Sequence, residues 1–143
     1  MNSESVRSTF FQIAWHDARI ERFSFALPAG SFSPEIAIDL RLQRETQIGA
    51  VRSHTCRIIF SNCRYWGCSL DLSYLSWAVS IDEATMLDLT SSGKDQTVNE
   101  YLKKFPDLRA PKYSDHYCFG IMAMDPGGDI VIVCEGVEII VGG

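Results

Sequence analysis

The chain has 143 residues, 46% of them hydrophobic and 11% aromatic, and a net charge of −5. That is enough apolar surface for one compact core, and it excludes intrinsic disorder. No apolar run approaches the ~18 residues of a membrane span, and Met1 to Arg7 lacks the basic start and apolar stretch of a secretory signal. These features predict a cytoplasmic protein with no membrane partner. The charge is uneven: residues 1–64 carry eight arginines against six carboxylates, +2, and residues 65–143 carry five basic against twelve acidic groups, −7. An acidic second half argues against nucleic acid as a partner and favours a basic one.

Residues 1–8 read as a disordered tail. Phe10, Phe11, Ile13 and Trp15 form an apolar cluster that fits either a short strand or a single helical turn. His16-Asp17 follows, and then Phe23, Phe25 and Leu27 alternate with polar or small residues as in a strand, until Pro28-Ala29-Gly30 breaks it. The clearest strand is Glu35 to Gln43, with Ile36, Ile38, Leu40 and Leu42 on one face and Glu35, Asp39, Arg41 and Gln43 on the other. A polar stretch over 44–53 leads to Cys56, Ile58 and Phe60, then Ser61-Asn62, then Tyr65, Trp66 and Cys68: two strands, or one with a bulge.

Residues 70–86 fit both periods, with a strand favoured over Trp77 to Ile81. Thr97-Val98-Asn99-Glu100 has the form of a capping box, followed by Val98, Tyr101, Leu102 and Phe105 at helical spacing, which predicts one amphipathic helix near residues 97–105. Tyr117 to Met122 and Ile130 to Val133 flank Asp125-Pro126-Gly127-Gly128, a hairpin signal, and Glu135-Gly136 precedes Val137, Ile139 and Val141, so a three-stranded meander is expected at the C-terminus. The predicted fold is mainly β, α+β at most. It is a single antiparallel sheet-rich domain over 1–143, a sandwich or partly open barrel.

No catalytic motif emerges. His54-Thr55-Cys56 and His116-Tyr117-Cys118 place histidine and cysteine on one face of an extended chain, but without a hydrolase signature around them. The five cysteines show neither Cys-x-x-Cys nor any other zinc spacing, and their odd number without a secretory signal favours free thiols; no metal and no cofactor are expected. His16-Asp17 reads as a partner-facing pair or general base, or else as a structural turn beside a buried Trp15. Tyr65, Trp66, Tyr74 and Trp77, with Arg57 and Arg64, read as an interface or stacking patch, or else as core.

Trp15-His16-Asp17-Ala18-Arg19-Ile20 resembles the aromatic-His-Asp-Ala-x-aliphatic opening of immunity-protein family fifty of the bacterial polymorphic-toxin systems. The stretch Arg57 to Cys63 and the ending Asp125 to Ile139, with its glycine turn and Cys134 before the last strand, are similar to the same family. The chain departs from it at Arg19, where an acidic residue is usual, and over Ser91 to Ser114. The resemblance implies a β-rich, non-enzymatic inhibitor that binds a toxin without a cofactor. The expected contact residues are His16, Asp17, Trp66 and Trp77, with Asp71, Asp82 and Glu83 as a rim. A small-molecule-binding or enzymatic β-barrel with His16 and Asp17 lining a cavity, and a domain self-associating through the edge Val137 to Val141, are the alternatives.

Overall fold

The computed structural model describes residues 3–27, 33–45, 51–71, 79–91, 95–113, 115–125 and 127–141. Helix α1 (Ser3–Phe11) opens the chain, followed by strands β1 (Arg19–Ala26), β2 (Glu35–Glu45), β3 (Val51–Ser61), β4 (Tyr65–Cys68) and β5 (Val79–Leu87). Helix α2 (Gln96–Lys104) then precedes β6 (Tyr117–Asp125), β7 (Gly128–Cys134) and β8 (Gly136–Val141), with short 3-10 turns at Leu89–Ser91, Pro106–Arg109 and Pro111–Tyr113.

All eight strands join one antiparallel sheet in the order β4-β7-β6-β5-β1-β2-β3-β8. Its two edges are made by the same two stretches of chain that form its neighbouring rungs. Ser61 faces Gly136 at the end of the β3–β8 ladder, and Tyr65 faces Val133 at the start of the β4–β7 ladder. The corner between them is turned by Asn62, which is left-handed with φ 52°, and is tied by Arg64 N–H to Val133 O at 2.9 Å and Glu135 N–H to Ser61 O at 3.1 Å. Such a bend carries paired strands from one layer to the next and lets a sheet close over its own core.

The alternation of β2 sets that core. Ile36, Ile38 and Leu40 are fully buried and meet Ile58, Phe60, Ile81, Phe119, Ile121 and Ile132 in one cluster. A second cluster lies on the outer side of β6 and β7, where Val98, Tyr101 and Leu102 of α2 and Phe105 just after it cover Cys118, Val131 and Val133. This explains why β7 reads as a continuous apolar run: both of its faces are covered.

Four expectations are corrected. The segment read as a disordered tail is helical from Ser3, because Val6 and Phe10 share a buried stripe and Phe10 stacks on Phe119 at 4.5 Å. The C-terminal meander stops at two strands: β6 and β7 form the hairpin, but β8 leaves it at the Glu135 corner and pairs with β3. The polar stretch 44–53 contributes strand at both ends, Arg44↔Arg52 and Glu45↔Val51 extending the β2–β3 ladder. The cap of α2 is not Thr97 but Asp95, whose carboxylate accepts from the backbone N–H groups of Thr97 at 2.9 Å and Val98 at 3.4 Å.

Candidate functional site

Trp15 to Ala18 form a short turn fixed at both ends. The Trp15 indole is buried, rests 4.7 Å from the Phe10 ring and donates from Nε1 to the Phe10 carbonyl at 2.9 Å. Ala18 is fully buried and its N–H donates to Trp15 O at 3.0 Å. The turn is then stitched to β5 by Asp17 N–H to Ile81 O at 2.9 Å and Ile81 N–H to Ala18 O at 2.8 Å. Asp17 adopts φ 64°, a left-handed conformation that aspartate tolerates better than most residues. The apolar flanks go in, and His16 and Asp17 are left outside with side chains 70% and 61% exposed.

Opposite this turn, β5 carries register shifts on both sides of Ile81, and the second, between Ile81 and Glu83, leaves Asp82 without a partner in the β5–β6 ladder. The Asp82 carbonyl lies 3.0 Å from His16 Nδ1, which donates to it in the matching tautomer. The carboxylates of Asp17 and Asp82 stand 3.6 Å from Nε2 and 3.7 Å from Nδ1. The Asp82 carbonyl, then the Asp17 carboxylate and the Asp82 carboxylate, raise the His16 pKa above its ordinary value. Glu83, exposed and opposite Met122, extends the acidic surface by one residue.

The structure thus brings together His16, Asp17 and Asp82, while Glu83, next in the chain, has its charge felt at Tyr101. Asp71 is exposed after β4 and is not among the groups that contact His16. Trp66 is 46% exposed and packs 5.4 Å from Phe23, again without contact to the His16 turn. Trp77 and Tyr74 lie outside the described residues. Of the expected aromatic patch, Tyr65 and Trp66 do not share a face, because adjacent strand residues point to opposite faces. Tyr65 turns to Tyr113 at 5.8 Å while Trp66 turns to Phe23, Arg57 is held by Asp39 and Arg64 lies near Glu135.

The cysteine readings meet a similar obstacle. Cys56, Cys63, Cys118 and Cys134 are buried, and burial pushes their thiols up, Cys63 to about 11 and Cys118 to about 12. Such thiols are not poised as nucleophiles. His116 lies 3.4 Å from Glu135, yet neither ring nitrogen makes a hydrogen bond and both are shut off from solvent. No group of three or more potential metal ligands is found among the described residues.

Three surface cavities of about 460, 360 and 470 Å³ are lined by the α1–β5–β6 junction, the outer face of β1–β3 and the turn around Pro106. None of these has His16, Asp17, Asp82 or Glu83 in its wall. Comparison of the chain with protein-family models, with curated proteins and with solved structures finds no match. Among the described residues no helix is long and apolar enough to cross a membrane.

Proposed function

We propose that this chain is a non-enzymatic protein-binding domain, in its most concrete form a cytoplasmic immunity protein that neutralises a toxin by covering it. The observation that supports this reading is the clamped turn: His16 and Asp17 are locked on a rigid support yet exposed, and Asp82, followed in the chain by the exposed Glu83, adjoins them. Groups presented in this way lose little entropy on binding and offer acidic acceptors to a basic partner. The high exposure of His16 and Asp17 fits a protein surface better than a small substrate, which needs an enclosing pocket. The likeness of Trp15 to Ile20 to the opening of immunity-protein family fifty points the same way.

The test uses the protein encoded beside this chain's gene as the first candidate partner. That protein alone should arrest growth of a host cell, co-expression of this chain should restore growth, and the purified pair should form a one-to-one complex. The triple variant His16→Ala, Asp17→Asn, Asp82→Asn should fold normally and bind at least tenfold more weakly, the loss of roughly 1.4 kcal/mol or more expected for charged interface contacts. Unchanged affinity in the triple variant would remove the assigned surface, and no restoration of growth would remove the immunity role.

A further inference from the structure

The outer face of β1, β2 and β3 carries charges in two rows. Arg22, Asp39 and Arg57 stand opposite one another across the three strands, followed by Ile140 of β8. Two residues along β2, Arg19 faces Arg41 and Arg41 faces Thr55. Glu21 is the extra residue at the register shift in β1, and it reaches Arg41. Four guanidinium groups therefore share two carboxylates, a local charge of +2 in a chain of net −5.

The two carboxylates are committed. Asp39 accepts from Arg57 Nε at 2.7 Å and from its Nη2 at 3.2 Å, and Glu21 accepts from Arg41. Hydrogen bonding and the charge of Arg57, with a smaller contribution from Arg22, hold the Asp39 carboxyl below its ordinary range. Arg19 and Arg22 are left, both exposed, without an ion pair or hydrogen bond among the described residues. Arg19 also stands directly across from another arginine, an arrangement that is unfavourable in an isolated sheet. The other acidic residues in register with this face stand further off: Asp125 is beyond Ser80 in the Arg19 row, two strands from β1, Glu138 is on β8, three strands or about 14 Å from β1, and Glu35 and Glu45 are at the two ends of β2.

We infer that the β1–β3 face is a docking surface for an extended, acidic protein segment, with Arg19 and Arg22 as the groups that grip it. The cross-strand partners of these arginines, Arg41 and Asp39, are two residues apart, on the order of 7 Å. Carboxylates on alternate residues of an extended segment repeat at the same interval. Each guanidinium takes one carboxylate in a forked pair, and the incoming charge relieves the Arg19–Arg41 opposition. Nucleic acid is the less suited occupant: Ser24, Ala37, Thr55, Ile59 and Ile140 share this face and none offers an aromatic ring on which a base stacks. This inference stands apart from the acidic His16 surface and survives or fails without it.

The probe is a synthetic peptide of alternating glutamate and serine, with a lysine-serine peptide and oligothymidylate as controls, titrated by fluorescence anisotropy at low ionic strength. The intact chain should bind the glutamate peptide in a salt-sensitive way, and the Arg19→Ser, Arg22→Ser variant should bind it at least about tenfold more weakly. The same variant should melt at nearly the same temperature, since it loses both the Arg19–Arg41 repulsion and the weaker attraction of Arg22 to Asp39. Absence of peptide binding, equal binding by the variant, or tighter binding of oligothymidylate would each overturn the inference. A clearly lowered melting temperature would also overturn it, because the arginines would then be holding the sheet.

Discussion

His16 and Asp82 are 66 residues apart in sequence, yet the imidazole Nδ1 lies 3.0 Å from the Asp82 carbonyl. A turn fixed by buried tryptophan and a bulge in β5 meet there, the turn supplying an exposed donor and the bulge the carbonyl that accepts from it.

The first prediction concerns protonation. The His16 pKa is raised chiefly by a backbone carbonyl, which no side-chain substitution removes, and next by Asp17. Asp17→Asn should therefore lower the His16 midpoint, followed by the imidazole proton resonances in an NMR titration, more than Asp82→Asn does. Because the folded value lies above the unfolded one, the stability this group contributes is fully present below the unfolded pKa of ~6.5. It is lost as pH rises through the folded pKa. An equal or larger effect of Asp82→Asn would show that the Asp82 carboxylate dominates.

The second prediction concerns the N-terminal helix. Phe10 is fully buried, touches Trp15 and Phe119, and its carbonyl accepts the Trp15 indole N–H. Phe10→Ala should cost about 3–5 kcal/mol in urea unfolding. A cost below ~1 kcal/mol would mean that α1 is dispensable to the core.

At α2, Asp95 and Thr97 make a paired test. Asp95→Ala removes the acceptor of two backbone N–H groups and should cost about 1 kcal/mol of stability by denaturant titration, while Thr97→Ala should change it by less than ~0.5 kcal/mol. The reverse order would restore the capping-box reading.

Gly120 lets α2 approach the sheet. A Cβ placed there would stand 2.6 Å from Tyr101 Cζ and 2.7 Å from its hydroxyl, and Tyr101 is itself buried. Gly120→Ala should destabilise by about 1–3 kcal/mol. In a double-mutant cycle with Tyr101→Leu the penalties should fall short of additivity, since the shortened side chain vacates the clash. Simple additivity would locate the strain elsewhere.

What was legible in the sequence was mostly periodicity. Ile36 to Leu42 announces a strand with one wet face, and Val98, Tyr101, Leu102 and Phe105 announce the buried side of α2. The turn at His16-Asp17 was also readable, from two polar residues set against Trp15. Pairing was not, because it depends on residues far apart in sequence. Nothing local tells Val137 to Val141 to leave the hairpin and join β3, and nothing near His16 names Asp82 as its partner. Helix α1 was missed because its buried stripe, Val6 and Phe10, is narrow and the residues between are polar. The charged rows escaped notice for a different reason. The alternation of β2 puts Asp39 and Arg41 on its wet face, but which neighbours share that face is fixed only by register.

The corner at Asn62 and Glu135 has a kinetic consequence. It makes β4 and one side of β3 depend on residues 128–141 for pairing, so the ladders on either side of the corner have a large sequence separation. Closing such loops is entropically expensive, and chains rich in them fold slowly. On the ribosome, β1 to β3 can assemble early, but β3 must wait with one side unsatisfied until β8 emerges. During that interval the growing polypeptide exposes an apolar strand to its neighbours, and prompt completion of synthesis protects it from aggregation.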